Sequence, residues 1–231
     1  MTVEAETRRR GDTKQRLLRA AEKLIAEHGI TGTSTRAILK EAEQRNESAL
    51  QYHFGGRKGL LEALYVERGG QVAAEREVLL GELIESGRTL DLRSVCEVAF
   101  LPPVRLARRD PNFVRFLRVV GQLAFLPDDE LRQTHETYEL GNAGKVFQRV
   151  VDQLELPEGL LERRLELLHR TAAIALSQRA RSGGSFEGPE ADLYFETVLD
   201  AMTGIVEGPI SPATTAALAA VAAQQTSRNS R

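Results

Sequence analysis

Tryptophan is missing from this chain of 231 residues, and Cys96 is its one thiol. A single cysteine excludes an internal disulfide and points to a reducing compartment. Aromatic residues make up only 5% of the positions, while Ala, Leu, Arg and Glu dominate, a balance that favours helix. The four histidines, His28, His53, His135 and His169, show no metal-binding spacing such as H-E-x-x-H. There is no G-x-S-x-G elbow, no Walker loop and no glycine-rich dinucleotide loop. Gly141-Asn142-Ala143-Gly144 lies amid a helical pattern without a preceding strand, so it is not a phosphate loop. An enzyme is therefore not expected, and neither are catalytic residues, a metal or a cofactor. No apolar run approaches the roughly 20 residues that span a bilayer. The polar, basic first residues lack the apolar segment of a secretory signal. The expectation is a soluble cytoplasmic protein with no membrane partner.

Convincing period-two alternation and internal repeats are also lacking, so the expected fold class is all-α, with about nine helices. Hydrophobic residues at 42% suffice for a packed core. The net charge of -2 hides an asymmetry: residues 1–58 carry a net +4 and the remainder a net -6. A basic head on an acidic body suits a polyanion touched by one end only.

Residues 1–11 show no apolar periodicity and read as a flexible basic arm. From Asp12 or Thr13, the residues Leu17, Ala21, Leu24, Ile25 and His28 build one apolar stripe, and Gly29 stops it. Thr33 and Ser34 offer cap oxygens to a short helix that turns Ala37, Ile38 and Ala42 inward. Asn46 caps a second short helix, Glu47–Phe54, whose inward positions are Ala49, Leu50 and Phe54. After Gly55-Gly56 a longer helix runs from about Arg57 toward Glu85, with Gly69-Gly70 as its weak point. Beyond it the pattern predicts Leu92–Leu101 stopping at Pro102-Pro103, and a segment from Pro111 through Phe125. Another opens at Pro127 and runs to about Leu154, and a helix follows Pro157 to Arg181. Ser182–Gly188 reads as a loop and Pro189–Val206 as a helix. The tail is an Ala-rich piece, Pro212–Ala223, with a polar end.

Two short helices joined by a tight turn, the second ending in Tyr52-His53-Phe54 before Gly55-Gly56-Arg57-Lys58, outline a helix-turn-helix. The run Gln44-Arg45-Asn46-Glu47-Ser48-Ala49-Leu50-Gln51-Tyr52-His53-Phe54-Gly55, set after a long first helix, resembles the TetR family of bacterial transcription regulators. The resemblance is sharp over Leu17–Leu64 and rests beyond it on helical pattern and length. It implies a ligand-responsive, sequence-specific DNA-binding regulator, most simply a repressor. A palindromic double-stranded operator, a small apolar or amphipathic effector and a second copy of the chain are the implied partners. An activator and a helical adaptor with altered DNA binding are the alternatives. In domain terms this gives an arm at 1–11, a DNA-binding head at 12–58, a ligand-binding and dimerisation body at 59–210 and a tail at 211–231. One departure stands out: many family members carry Gly at the turn between the short helices, where this chain has Glu43. A non-glycine residue in left-handed geometry costs about 1 kcal/mol.

By that resemblance the DNA-contacting positions are Thr35, Arg36, Asn46, Glu47, Ser48, Gln51, Tyr52, His53, Arg57 and Lys58. Gln51 has the amide that reads adenine N6/N7, Glu47 can accept from cytosine N4, and Arg36 has the fork that fits guanine O6/N7. Arg36 as a solvated arginine is the alternative. Asn46 has a double claim, as cap first and contact second. His53 either grips the backbone or is a packed histidine. Arg57 and Lys58, with Tyr52, resemble backbone-holding residues at a helix start. Arg8-Arg9-Arg10 invite a groove or phosphate contact, with a solvated tail as the alternative.

The resemblance also places an effector cavity in the body. Its candidates are Phe100, Val104, Phe113, Phe116, Leu117, Phe125, Tyr138 and Phe147, with His135 or Gln122 as polar additions, and each has ordinary core packing as the rival reading. The last two main helices then form the dimer face, with Leu168, Ala172, Ala175 and Leu176 on one and Val198, Met202 and Ile205 on the other. Cys96 reads as a small buried hydrophobe.

Overall fold

The structure, a computed structural model, describes residues 3–44, 46, 48–123, 141–154, 156–157 and 159–229. Side chains are described from Asp12, and not at Gly121, Leu123, Gly141, Asn142 or 226–229. Ten helices and no strand occur among these residues. In chain order they are α1 (Val3–Gly32), α2 (Thr35–Glu41), α3 (Ser48–Phe54), α4 (Arg57–Glu85), α5 (Leu92–Arg109), α6 (Pro111–Leu123), α7 (Gly141–Val151), α8 (Leu160–Arg181), α9 (Pro189–Glu207) and α10 (Pro212–Asn229). The expected all-α class holds, and no single described helix is long and apolar enough to cross a membrane. Phe125, His135 and Tyr138 lie outside the described residues, as does Glu47.

Two cores organise the chain. The first joins α1 to α4: Leu17, Leu18, Ala21 and Ile25 of α1 meet Ile38 and Leu39 of α2, Leu50 of α3, and Leu60 and Leu64 of α4. Spacings of three and four place these residues on one face of each helix. The second core fills the body with Phe100 and Val104 of α5, Phe113, Phe116 and Leu117 of α6, Leu168 and Leu176 of α8, and Phe195, Leu199 and Met202 of α9. A smaller cluster seats α7 on α4 and α5 through Leu80, Leu83, Val98 and Ala143. Helix α6 belongs to both main cores, because Val119 is buried in the first while its neighbours serve the second.

Three expectations need correction. Residues 3–11 have no apolar stripe, yet α1 begins at Val3 rather than near Asp12. Glu4, Ala5, Glu6 and Arg8–Arg10 are good helix formers, so propensity extends the helix where packing gives no signal. Helix α5 runs through Pro102-Pro103 to Arg109 instead of stopping there. Both prolines are buried, and the apolar face Val95, Cys96, Phe100, Val104, Ala107 continues across them, so tertiary packing overrides the cost of the missing N–H groups. The tail helix α10 continues past Ala223 to Asn229. Helix α4, by contrast, passes unbroken through Gly69-Gly70.

Candidate nucleic-acid interface

The head is built from local rules. Ser34 caps α2 by accepting from the Ala37 N–H at 3.1 Å. Helix α2 then closes in a Schellman turn: the Glu43 N–H donates to the Lys40 carbonyl at 3.1 Å and the Gln44 N–H to the Leu39 carbonyl at 2.8 Å. The pivot of that turn is Glu43, at φ 55°, the one non-glycine residue with positive φ among the described residues. The sequence placed Glu43 at this turn, and the structure puts it in the left-handed region. Its side chain makes only an exposed 3.8 Å ion pair with Arg16, worth little. Glu43→Gly is therefore expected to stabilise the protein by about 0.5–1 kcal/mol, the backbone relief exceeding the added unfolded-state entropy. Glu43→Val, with its branched Cβ, is expected to destabilise it. Urea denaturation midpoints of the two variants check the pair, and equal shifts would contradict the strain.

Asn46 caps α3 as its position required, with Oδ1 accepting from the Ser48 N–H at 3.0 Å. Helix α3 turns Leu50 into the core at 4% exposure and leaves Ser48, Gln51 and Tyr52 outside, Tyr52 at 67%. Ala49, His53 and Phe54 are half-buried. The His53 ring packs edge-on against Tyr52 at 5.1 Å and tilted against Phe54 at 6.2 Å. On α2, Thr35 is half-buried and Arg36 exposed. Lys58 is exposed in the first turn of α4, with a 3.9 Å surface ion pair to Glu62 that yields at little cost.

Arg57 is turned toward α1. Its guanidinium donates to the carbonyls of Ile30 and Thr33, just past the kink at Gly29 (φ 82°) that ends the straight part of α1. Those carbonyls have lost their helical partners, and Arg57 satisfies them. It is thus a clamp between α1 and α4 rather than an outward cation. Gln122 of α6 supports the same corner: its Oε1 accepts from the Ile30 N–H at 2.9 Å. Gly59 was also not singled out by the sequence pattern. A Cβ there would lie 1.8 Å from the Phe54 carbonyl oxygen, so only glycine lets α4 start so close to the end of α3. The signal available was a glycine inside the first turn of a helix.

Buried charges that sequence inspection passed over tie α4 to α1 and to α5. Arg68 of α4 forms a bidentate pair with Glu22 of α1, both contacts at 2.9 Å, and its guanidinium lies 5.5 Å from the Phe113 ring of α6. Glu75, buried at 5%, is gripped by Arg105 at 2.8 Å and Arg109 at 2.5 Å. These pairs join positions far apart in sequence, so no local spacing announces them.

The structure places Phe100, Val104, Phe113, Phe116 and Leu117 in the body core, each at 3% exposure or less, with Phe147 half-buried against them. Leu168, Leu176 and Met202 are buried inside the same protomer, whereas Ala172, Ala175, Val198 and Ile205 keep partial exposure. Leu167, Ile174 and Leu193 are the large apolar side chains that α8 and α9 present to solvent. Cys96 is buried, and burial pushes its thiol up to about 11, with a Thr203 hydrogen bond acting the other way. It is a packed apolar group with no thiolate at neutral pH.

A capped, exposed short helix held after a tight turn, followed by a body that is all helix among the described residues, has the form of a helix-turn-helix protein. Residues 17–64 match the family described as bacterial regulatory proteins, tetR family. Over this head the chain is similar to that family. No curated protein sequence matches it. Among solved structures the chain is similar to a protein described as a tetR family transcription regulator from Shewanella sp. PV-4, at 21% identity and TM-score 0.57, over 82% of this chain and 97% of that one. A tetR family transcription regulator from Marinobacter aquaeolei VT8 aligns at 21% identity and TM-score 0.55, over 84% of this chain and 97% of its own. At these identities the likeness is one of fold, and it extends from the head over the body.

Proposed function

We propose that this protein is a ligand-responsive repressor that binds a palindromic operator as a homodimer and lets go when a small apolar or amphipathic effector enters the body. The observation that carries the proposal is α3 itself. Its buried side is a core residue, Leu50, and its open side presents Ser48, Gln51 and Tyr52 next to Lys58. That is the surface a major groove accepts: polar side chains for base edges, flanked by a cation for phosphate. Thr35, Arg36 and Asn46 border it, and His53 sits at its inner edge. Arg57 takes a supporting part in this reading, its guanidinium donating to the carbonyls of Ile30 and Thr33.

One such helix gives modest specificity, and a second copy doubles the site. The face proposed for that copy is the solvent side of α8 and α9, where Leu167, Ile174 and Leu193 stand exposed at 56%, 42% and 69% beside Ala172, Ala175, Val198 and Ile205. Effector binding acts through differential affinity for two arrangements of the heads.

The docking is tested by two substitutions. Gln51→Ala is expected to cost about 1–3 kcal/mol on the best operator and to relax preference at one base pair in each half-site. Lys58→Ala is expected to weaken every sequence alike and to flatten the salt slope by about one charge. Titrations on cognate and scrambled duplexes at several salt concentrations separate the two. Identical behaviour of the variants would contradict this docking.

A further inference from the structure

Helix α6 enters both main cores, and Val119 and Gln122, three residues apart, share the face it turns to the head. Gln122, read from the sequence as a polar candidate for the effector cavity, directs its amide oxygen at α1. The kink at Gly29 (φ 82°, ψ 165°) takes α1 off its helical path. The next N–H, that of Ile30, donates to Gln122 Oε1 at 2.9 Å. Gln122 Nε2 makes longer contacts with the carbonyls of Ile25 at 3.5 Å and Arg118 at 3.3 Å. The approach is close: a Cβ on Gly29 would lie 3.3 Å from Gln122 Oε1. From within the head, Arg57 of α4 donates to the carbonyls of Ile30 and Thr33, and Thr33 Oγ1 donates to the Gly29 carbonyl at 2.8 Å. Ile30 is thus held by its N–H from α6 and by its carbonyl from α4. It lies in the short link from which α2 starts, with the α3 recognition helix behind it.

One turn before Gln122, α6 is fixed to the body. Arg118 Nε donates to the Ala180 carbonyl near the end of α8 at 2.9 Å, and Phe113, Phe116 and Leu117 are buried in the body core. The two contacts that α6 makes with the head differ in kind. Val119, 1% exposed, packs by apolar contact, which has no preferred direction and tolerates a small slide. The Gln122 hydrogen bond weakens steeply once its angle departs from linear, so it holds a direction as well as a distance. A rigid side chain on the body therefore sets where the first residue past the kink lies.

We propose that Gln122 is the positioning residue that fixes the angle of the DNA-binding head on the body, and with it the separation of the two recognition helices in the dimer. This rests on the reading of the chain as a dimeric DNA-binding protein and assigns one of its determinants of operator spacing. Gln122 acts through Ile30 rather than on the DNA. One base pair moves a half-site by about 3.4 Å and turns it by about a tenth of a turn, so a small change in head angle alters which spacing fits.

The test measures the affinity of the full chain, as wild type, Gln122→Met and Gln122→Glu, for three kinds of duplex. These are the palindrome recovered by selection from random DNA, the same palindrome with its half-sites moved by one or two base pairs, and a duplex with a single half-site. The wild type is expected to bind the displaced palindromes at least about tenfold more weakly than the selected one. Gln122→Met removes the acceptor at similar volume. It should bind the selected palindrome about tenfold more weakly than the wild type and spread its affinity over the displaced ones. Its hold on the single half-site should equal that of the wild type, which also reports an intact head. Gln122→Glu keeps an oxygen for the Ile30 N–H and should hold the wild-type spacing preference. A preference undiminished in Gln122→Met overturns the proposal. So does an equal loss on the single half-site, which makes Gln122 a brace of the head's own fold. Loss of the preference in Gln122→Glu as well takes the effect away from the Ile30 bond and overturns the assignment. A wild type that holds one half-site as tightly as two overturns the dimeric reading beneath, and this proposal with it.

Discussion

Arg68→Ala is expected to destabilise the protein by about 3–5 kcal/mol, the range for removing one partner of a buried ion pair. The side chains of Arg68 and Glu22 are 13% and 6% exposed, so the carboxylate left behind can recover little hydration. The substitution also removes the 3.1 Å hydrogen bond to Gln71 and the cation resting on Phe113. Glu22→Ala should cost less, because Arg68 keeps Gln71 and has Asp110 at 4.0 Å. The double replacement Glu22→Leu with Arg68→Met should restore most of the loss, since a packed apolar pair often equals a buried ionic one. Urea denaturation of the four proteins gives the order directly. A cost below about 1 kcal/mol for Arg68→Ala would show that the pair behaves as a surface pair. The functional consequence follows from position: Glu22 is in α1, Arg68 in α4 and Phe113 in α6, so the pair joins the DNA-binding head to the body.

Phe195→Ala is expected to cost about 3–5 kcal/mol as well, by a different route. Phe195 is 2% exposed, with Phe186 and Tyr194 at 5.5 Å and Phe100 at 6.1 Å between ring centroids. Two guanidiniums, Arg179 at 5.6 Å and Arg108 at 5.8 Å, face the same ring. Each aromatic or cationic contact adds about 0.5–1.5 kcal/mol beyond the area buried, and alanine forfeits them all while leaving a void. Phe195→Leu keeps much of the volume and should cost less. Thermal melts of the two variants, compared with the wild type, distinguish cavity formation from a general intolerance of the site. Similar losses for both would point away from the cavity.

The head was legible because its physics is local. A cap at Asn46, an apolar stripe on α1, a stop at Gly29 and the odd residue at Glu43 are each readable within a few positions. The body was legible as helices but not as contacts. Pro102-Pro103 reads as a break until the apolar face continuing through it is seen packed. Arg57 looks like a phosphate-binding residue because a basic side chain at a helix start usually faces out. What turns it inward is a pair of carbonyls more than twenty residues away in the chain. Leu168, Leu176 and Met202 suit a dimer face by type, yet a single helix cannot say which side its own protomer covers. The Glu22–Arg68 pair depends wholly on three-dimensional neighbours.

The central claim is that two copies of α3 enter successive major grooves of one duplex. Selection of bound sequences from random double-stranded DNA by the purified full chain, with the mass of the complex measured on the winners, tests it most directly. The account predicts an inverted repeat whose half-site centres lie about 34–36 Å apart, bound by two chains. Recovery of no common sequence even at low ionic strength, or a single half-site held by one chain, would contradict it.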